Sequence, residues 1–277
     1  MSVINTNVKS MIAQNAMTVN NRTLSKTMEQ LSTGKRINAA ADDAAGLSIA
    51  NRMTAQIKAL DQSVRNANDG ISMMQTAEGA TKEITNMLQR MRELSVQAAN
   101  DSYSASDRTA IAGEVTQLTS EITRIADNTQ WNGMSILSGG TAYATMTFQV
   151  GTEGDASSAI TVGFSDMDAT ALSVGGTSLS FTTSVQAQAS VELLDTAINR
   201  VDTFRSGLGA RINRLTSAAD NLANVALNTS ASRSQIEDTD YAKATTELAK
   251  SQIIQQAASA MLAQANQAPQ SVLSLLR

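Results

Sequence analysis

With 277 residues the chain is long enough for two domains and a real core, yet only 3% of it is aromatic, which argues against a thick globular core. It contains no Cys and no His, which removes thiolate nucleophiles, imidazole bases, disulfides and ordinary zinc sites, and with them most hydrolase mechanisms. A net charge of -4 gives no electrostatic case for nucleic acid as a partner.

The first residues, MSVINTNVKS, hold no apolar segment of signal-peptide type, and nowhere do about 18 apolar residues run together. Neither a secretion leader nor membrane insertion is expected. Ile4, Val8, Met11, Ile12, Asn15 and Val19 make a weakly amphipathic stripe. Near the other end Leu248, Ile253, Ile254, Ala257, Ala258, Met261 and Leu262 match it. Alone, either segment buries too little to offset the ~1–2 kcal/mol per residue of backbone ordering. Both therefore read as polymerisation arms that order on partners, with Ile4, Val8, Met11, Leu248, Ile254, Met261 and Leu262 as the assembly residues.

Asp42 and Asp43 could be an acid/base or metal-binding pair, but they stand just before a long periodic segment and are better read as its N-terminal caps. From there Ile57, Leu60, Val64, Ala67, Ile71, Met74, Ala77, Ile84, Leu88, Met91 and Ala98 recur mostly in steps of three and four, a coiled-coil seam. Pro is absent from the first 268 residues, so residues 45–99 can form one helix roughly 80 Å long. After a break at Asn100-Asp101-Ser102, Ile111, Val115, Leu118, Ile122 and Ile125 continue the pattern in a second helix. Between Gly139 and Ala189 the charge thins out and Gly, Ser and Thr dominate. Met146, Phe148 and Val150, then Ile160, Val162 and Phe164, alternate as half-buried strands. Gly175-Gly176, flanked by Leu172-Ser173-Val174 and Leu179-Ser180-Phe181, predicts a two-residue hairpin turn. This β excursion is expected to face solvent, to make no contact with the seams, and to be dispensable for polymerisation when residues 152–184 are deleted. A third seam follows in Leu194, Ile198, Val201, Leu208, Ile212, Leu215, Ala219, Leu222 and Ala226, with Arg205 as its one charged member. The fold class is mainly α: a long antiparallel helical coiled-coil rod built from N- and C-terminal parts, with a small β-hairpin tip inserted in the middle.

Three stretches carry a family resemblance. They are Ile4-Asn5-Thr6-Asn7, then Leu31-Ser32-Thr33-Gly34-Lys35-Arg36-Ile37-Asn38, and Asp42-Asp43-Ala44-Ala45-Gly46-Leu47. The C-terminal run from Ser234-Gln235-Ile236-Glu237-Asp238-Thr239-Asp240-Tyr241 to Leu262-Ala263-Gln264-Ala265-Asn266-Gln267-Ala268-Pro269-Gln270 and Leu275 is equally specific. Together they closely resemble bacterial flagellin, over residues 1–138 and 190–277, with a shorter middle than the large flagellins have. The resemblance implies an assembly domain (1–42 and 235–277) lining a filament core, a helical rod domain (43–138 and 190–234) and an outward tip (139–189). It implies a secreted structural subunit of the extracellular filament, exported unfolded through the flagellar type III apparatus. An export chaperone on the C-terminal segment, the filament cap and the junction proteins are its implied partners, with no cofactor.

Arg90, Leu94 and Gln97 share three- and four-residue spacing, which the residues alone explain as a subunit contact. By the resemblance, Arg90, Leu94 and Glu114 match positions that the flagellin-sensing Toll-like receptor recognises on monomers, and the two readings can hold together. Ser157, Ser158, Thr177 and Ser178 are candidate O-glycosylation sites by the same resemblance, while hydroxyls on solvated strands explain them equally well. Gly207 and Gly209 lack the preceding strand and third glycine of a dinucleotide loop and are expected to serve close helix packing. Two alternatives to a filament subunit are a hook-filament junction protein and a carbohydrate-binding adhesin. The adhesin would need an aromatic platform from Trp131, Tyr143, Phe148, Phe164 and Phe181, which are scattered. An enzyme is the weakest reading.

Overall fold

The computed structural model describes residues 6–139, 145–153, 155–176 and 178–275, with residue 156 and the last eight as backbone only. Ile4, Tyr143 and Thr177 lie outside the described residues. The described helices are α1 (Val8–Thr33), α2 (Ala44–Ala98), α3 (Ala105–Asn128), α4 (Ser184–Glu237) and α5 (Tyr241–Leu275). Between α3 and α4 lie four short strands, β1 (Gln130–Trp131), β2 (Met134–Ser135), β3 (Thr145–Gln149) and β4 (Ala159–Gly163). The fold is thus mainly α with a small antiparallel β region in its middle. The chain divides into two compact units, residues 1–57 with 227–277, and residues 58–226. Helices α2 and α4 contribute to both.

The boundaries of α2 and the start of α3 have local causes. The two aspartates before α2 divide their work: Asp43 Oδ1 accepts from Gly46 N at 2.8 Å as the cap, whereas Asp42 Oδ2 accepts from Asn38 N and Ala39 N, both at 3.1 Å. Asp42 also pairs with Lys26 at 2.8 Å. That bond, ahead of the two backbone donors, holds its carboxyl below the usual range. At the other end of α2, Arg108 donates to the carbonyls of Ala98 and Asn100, satisfying acceptors that the helix leaves open. Ser104 and Asp107 then form a reciprocal capping box that starts α3.

The core of residues 58–226 is built along the expected seams. Met73, Met74, Ile84, Leu88 and Met91 of α2 are fully buried with Ile122 of α3 and with Leu194, Leu208 and Leu215 of α4. The buried band on α2 is wider than the apolar stripe, since it also takes in Ser63, Thr81, Thr85 and Ser95. The hydroxyls of Thr81, Thr85 and Ser95 donate to carbonyls four residues back, so they enter the core without an unmet donor. On α4 the seam position adjoining Arg205 is filled by buried Phe204, while Arg205 lies at the margin, 3.8 Å from Asp202.

The β region departs from expectation in three ways. Strands β1 and β2 form a hairpin whose turn residues, Asn132 and Gly133, have φ of 49° and 77°. The positive φ at both positions is the twist-matched turn that an Asn-Gly pair favours. Strands β3 and β4 pair antiparallel in the anticipated alternation, Phe148 opposite Ile160 and Met146 opposite Val162. Gly175-Gly176, however, joins no strands. Bonds from Leu172 N to Asp168 O, Val174 N to Ala169 O and Ser178 N to Gly175 O wind the segment into consecutive turns. Its apolar residues Leu172, Val174 and Phe181 are consumed by burial rather than by strand pairing. Finally, the excursion does not stand clear of the helices. Ile160, Val162, Phe164, Met167 and Phe181 belong to the same buried cluster as α2, α3 and α4. A Cβ at Gly70 of α2 would lie 3.0 Å from the Phe148 ring, so the strand approaches the helix closely enough that any side chain there would have to displace the ring by a few tenths of an ångström.

Candidate assembly and recognition surfaces

Helices α1 and α5 pair along two seams with regular three- and four-residue steps. On α1 the inward positions are Ser10, Ala13, Met17, Asn20, Leu24, Thr27 and Leu31. On α5 they are Ala244, Leu248, Ser251, Gln255, Ala258, Leu262 and Ala265. The seam is unusually polar. Asn7 Nδ2 donates to Ala265 O at 2.7 Å, Ser10 Oγ to Asn266 Oδ1 at 2.9 Å and Asn20 Nδ2 to Ser251 O at 2.8 Å. The apolar stripe read from the sequence faces elsewhere: Val8, Met11, Ile12 and Val19 are 51% to 65% exposed, and Ile253, Ile254 and Met261 are 42% to 66% exposed. Of the expected assembly residues, Val8, Met11, Ile254 and Met261 therefore lie on the outer face. Leu248 and Leu262 are half-buried in the seam, and Ile4 lies outside the described residues. Polar seam and apolar exterior invert the usual helix pair, leaving a row of unburied apolar surface of the kind that marks a protein contact.

The two signature stretches, 31–38 and 234–241, meet beside this pair. Arg36 N donates to Glu237 O at 2.7 Å and Thr239 N to Gly34 O at 2.9 Å, and the Lys35 ammonium lies 2.5 Å from the Glu237 carboxylate. Gly34 ends α1 with φ 71°, and a Cβ there would stand 3.1 Å from the Tyr241 hydroxyl. Both the left-handed backbone and the close hydroxyl demand glycine. This clasp ties the break after α1 to the break before α5.

On α2, Arg90 reaches across to α3. Its Nη2 is 3.0 Å from Glu114 Oε1 and its Nη1 is 3.2 Å from Glu93 Oε2, and the bond to Glu114, more than the one to Glu93, raises its already high pKa. Arg90 and Glu114 stay about half exposed. Leu94 does not share that surface. It is 2% exposed, because it continues the Leu88–Met91 seam into the core between the helices. Gln97 is exposed and donates to the Tyr103 hydroxyl at 3.1 Å. Arg92 points the other way, to Asp195 of α4 at 2.5 Å, and holds that carboxyl below the usual range.

The remaining candidates are simpler. Ser157 is exposed and donates to Asp155 Oδ2, Ser158 is half-buried, Ser178 is exposed, and Thr177 lies outside the described residues. Gly207 and Gly209 lie inside α4. A Cβ at Gly209 would meet nothing within 4 Å, so that glycine serves no close packing, and Gly207 makes room for the Arg211 guanidinium instead. Phe164 and Phe181 are buried, which removes them from any aromatic platform. Among the described residues no cluster of acidic side chains could hold a metal, and no helix is long and apolar enough to cross a membrane.

Residues 4–142 match the bacterial flagellin N-terminal helical region, and residues 191–276 the C-terminal helical region. A flagellin of Halalkalibacterium halodurans is 43% identical over 275 residues, covering 99% of this chain and 100% of that protein. A flagellar filament 33 kDa core protein of Treponema phagedenis is 44% identical over 287 residues, again covering 99% and 100%. The chain belongs to the bacterial flagellin family. It is a structural subunit of the flagellar filament. A solved chain described as a flagellar hook-associated protein from Vibrio parahaemolyticus superposes with a TM-score of 0.60 over 71% of this flagellin and 100% of that chain. At 15% identity, that likeness is one of fold.

Sequence reasoning missed the polar α1/α5 seam of this flagellin. The signal was present in the spacing of Ser10, Asn20 and Thr27, but polar residues at seam positions read as surface until the partner helix is known. It missed the β1–β2 hairpin too, although Asn132-Gly133 is the strongest short hairpin signal a sequence carries.

Proposed function

We propose that this flagellin polymerises through the outward apolar row of α1 and α5, and that residues 1–42 and 235–277 are the assembly domain of the extracellular filament. The observation behind this reading is the inverted pair: the polar seam holds α1 to α5 in register, while Val8, Met11, Ile12, Ile254 and Met261 keep their apolar area for another subunit. At ~25 cal/mol per Å², such a row contributes nothing in the monomer and becomes a driving force on contact. Ile12→Asp with Ile254→Asp should abolish growth from filament seeds in electron microscopy, with monomer helicity by circular dichroism unchanged. Normal filaments from that double variant would remove the outer face from the assembly contact.

Export unfolded through the flagellar type III apparatus, with a chaperone on the C-terminal segment, fits a chain without cysteine and with a polar, easily parted terminal pair. The filament cap and junction proteins complete the proposed partners. Ser157 and Ser178, with exposed hydroxyls, are the better placed of the four candidate glycan sites, and the intact mass of purified filament tests them. For the Toll-like receptor, the proposed surface is the Arg90–Glu114 pair, with Leu94 supporting it from the core. Arg90→Ala should weaken activation by monomer at least ~10-fold, about 1.4 kcal/mol. Equal potency of monomer, filament and variant on receptor-bearing cells would leave Arg90 a surface ion pair only.

A further inference from the structure

The 13 methionines of the chain sit in sharply different surroundings. Met73, Met74, Met91 and Met167 are buried at 1% exposure or less, and Met17 is turned, half-buried, into the α1/α5 seam. Among the described residues only Met11, Met28 and Met261 are exposed, at 61%, 55% and 65%. Two of these three belong to the outward apolar row. Met11 adjoins Val8 and Ile12 on α1, and Met261 stands about two turns from Ile254 on α5. The antiparallel bonds from Asn7 to Ala265 and from Asn20 to Ser251 place the two at the same level of the helix pair. Met28 follows Val19 by nine residues, about two and a half turns, and so faces away from the row.

With no cysteine in the chain, the thioether is the sulfur that a two-electron oxidant meets. The sulfur lone pair attacks one oxygen of hydrogen peroxide as the O–O bond breaks. The sulfur keeps that oxygen and is oxidised by two electrons, while the other oxygen leaves with both protons as water. Methionine sulfoxide carries a strong acceptor on what had been a flexible apolar side chain. On the surface of a lone helix pair water solvates that oxygen, and no internal contact is lost. Inside an apolar contact between subunits its desolvation opposes association.

We propose that Met11 and Met261 form an oxidant-sensitive modification site on the outward row: a peroxide converts them to sulfoxides in the free subunit, and the modified subunit no longer adds to the filament. The inference rests on the reading of that row as the assembly contact. It makes growth, rather than the finished filament, the vulnerable stage, because a subunit already incorporated has its row covered. Methionine sulfoxide reductases, which return the sulfoxide to the thioether, restore the subunit.

Competition within one partly oxidised sample tests it. Wild-type monomer treated briefly with hydrogen peroxide is offered to untreated seeds, and filament and residual monomer are mapped separately by mass spectrometry. Sulfoxide at Met11 and Met261 should be at least ~10-fold rarer in the filament than in the residual monomer, about 1.4 kcal/mol, while sulfoxide at Met28 should be equally frequent in both. After fuller oxidation, Met11→Leu with Met261→Leu should keep the growth rate of its own untreated monomer. Wild type and Met28→Leu should each lose theirs at least ~10-fold and regain it on treatment with reductase, with helicity by circular dichroism unchanged throughout. Row sulfoxides as frequent in filament as in residual monomer, depletion at Met28 as deep as at the row, or equal slowing of wild type and the double leucine variant would each overturn the inference. Normal growth of Ile12→Asp with Ile254→Asp would instead remove the row from the assembly contact, and both readings with it. If that variant fails to grow while row sulfoxides enter filaments freely, the oxidation site alone is lost.

Discussion

Two glycines of α2 separate what helix propensity says from what packing says. Gly79 is exposed, and a Cβ there would meet nothing within 4 Å, so Gly79→Ala should stabilise the monomer by roughly the ~1 kcal/mol by which alanine exceeds glycine in a helix. Gly70 is buried, and its Cβ would stand 3.0 Å and 3.1 Å from Phe148 and 3.2 Å from Leu215. There the same propensity gain meets an overpacking penalty of about 1–3 kcal/mol, so Gly70→Ala should be neutral to destabilising by up to ~2 kcal/mol. Thermal melts of the two variants side by side check both signs. Protonation gives a second residue-scale prediction. The Asp195 carboxyl is depressed chiefly by its hydrogen bond from Arg92, that of Asp107 by Ser104 and that of Asp42 by Lys26. A depressed folded-state pKa means that the unfolded chain takes up the proton first as pH falls. The stabilisation is therefore complete above the ordinary carboxylate pKa of about 4 and is lost on going down through the folded value. With no histidine, stability should be flat from about pH 5 to 8 and should decline only below about pH 4, with a shallower decline in Asp195→Asn. Acid titration followed by circular dichroism reads both.

At the scale of elements, α1 and α5 contrast with α4. The buried face of α4 in residues 58–226 is lined by Leu194, Val201, Phe204, Leu208 and Leu215, whereas the only residues of α1 buried outright are Ser10, Asn20 and Thr27. A seam whose leucines, Leu24, Leu31, Leu248 and Leu262, are only half-buried and whose fully buried α1 members are polar, with hydrogen bonds contributing about 1 kcal/mol net each, opens more readily than one of fully buried leucines. Amides of α1 and α5 in the monomer should exchange faster than those of residues 198–222 by orders of magnitude, and should become protected on polymerisation. Comparable protection in the monomer would mean that the terminal pair is stable without its neighbours.

At the scale of the molecule, the β excursion is part of the larger unit's core. Excising residues 152–184 would remove buried Ile160, Val162, Phe164, Met167, Leu172, Val174 and Phe181, together with Thr183, whose hydroxyl accepts from Gln186 N at the start of α4. Each buried side chain carries about 1.5–3 kcal/mol, so the sum rivals the ~5–15 kcal/mol by which a domain is folded at all. The excised chain should lose its cooperative melt and fail to polymerise. A cooperative transition near the parental temperature would show that the helices alone hold residues 58–226 together.

Much was legible in the sequence because the physics behind it is local. The three- and four-residue steps from Ile57 to Ala98 and from Leu194 to Ala226, with no proline to interrupt them, determine long helices with one buried band each, whatever they pack against. The alternation at Met146–Phe148 and Ile160–Val162 likewise determines two strands, and the missing Cys and His determine the chemistry the chain cannot do. Which band faces a neighbouring helix and which faces out is not local. The stripe Val8–Met11–Ile12 and the polar row Ser10–Asn20–Thr27 lie on the same helix, and hydrophobicity alone would bury the first. Only the bonds that α5 offers to Asn7, Ser10 and Asn20 turn the second inward. Leu94 is settled in the same way: spacing puts it one turn from Arg90, but the packing of α2 among its neighbours takes it into the core, because each added neighbour widens the buried band beyond what a single seam needs.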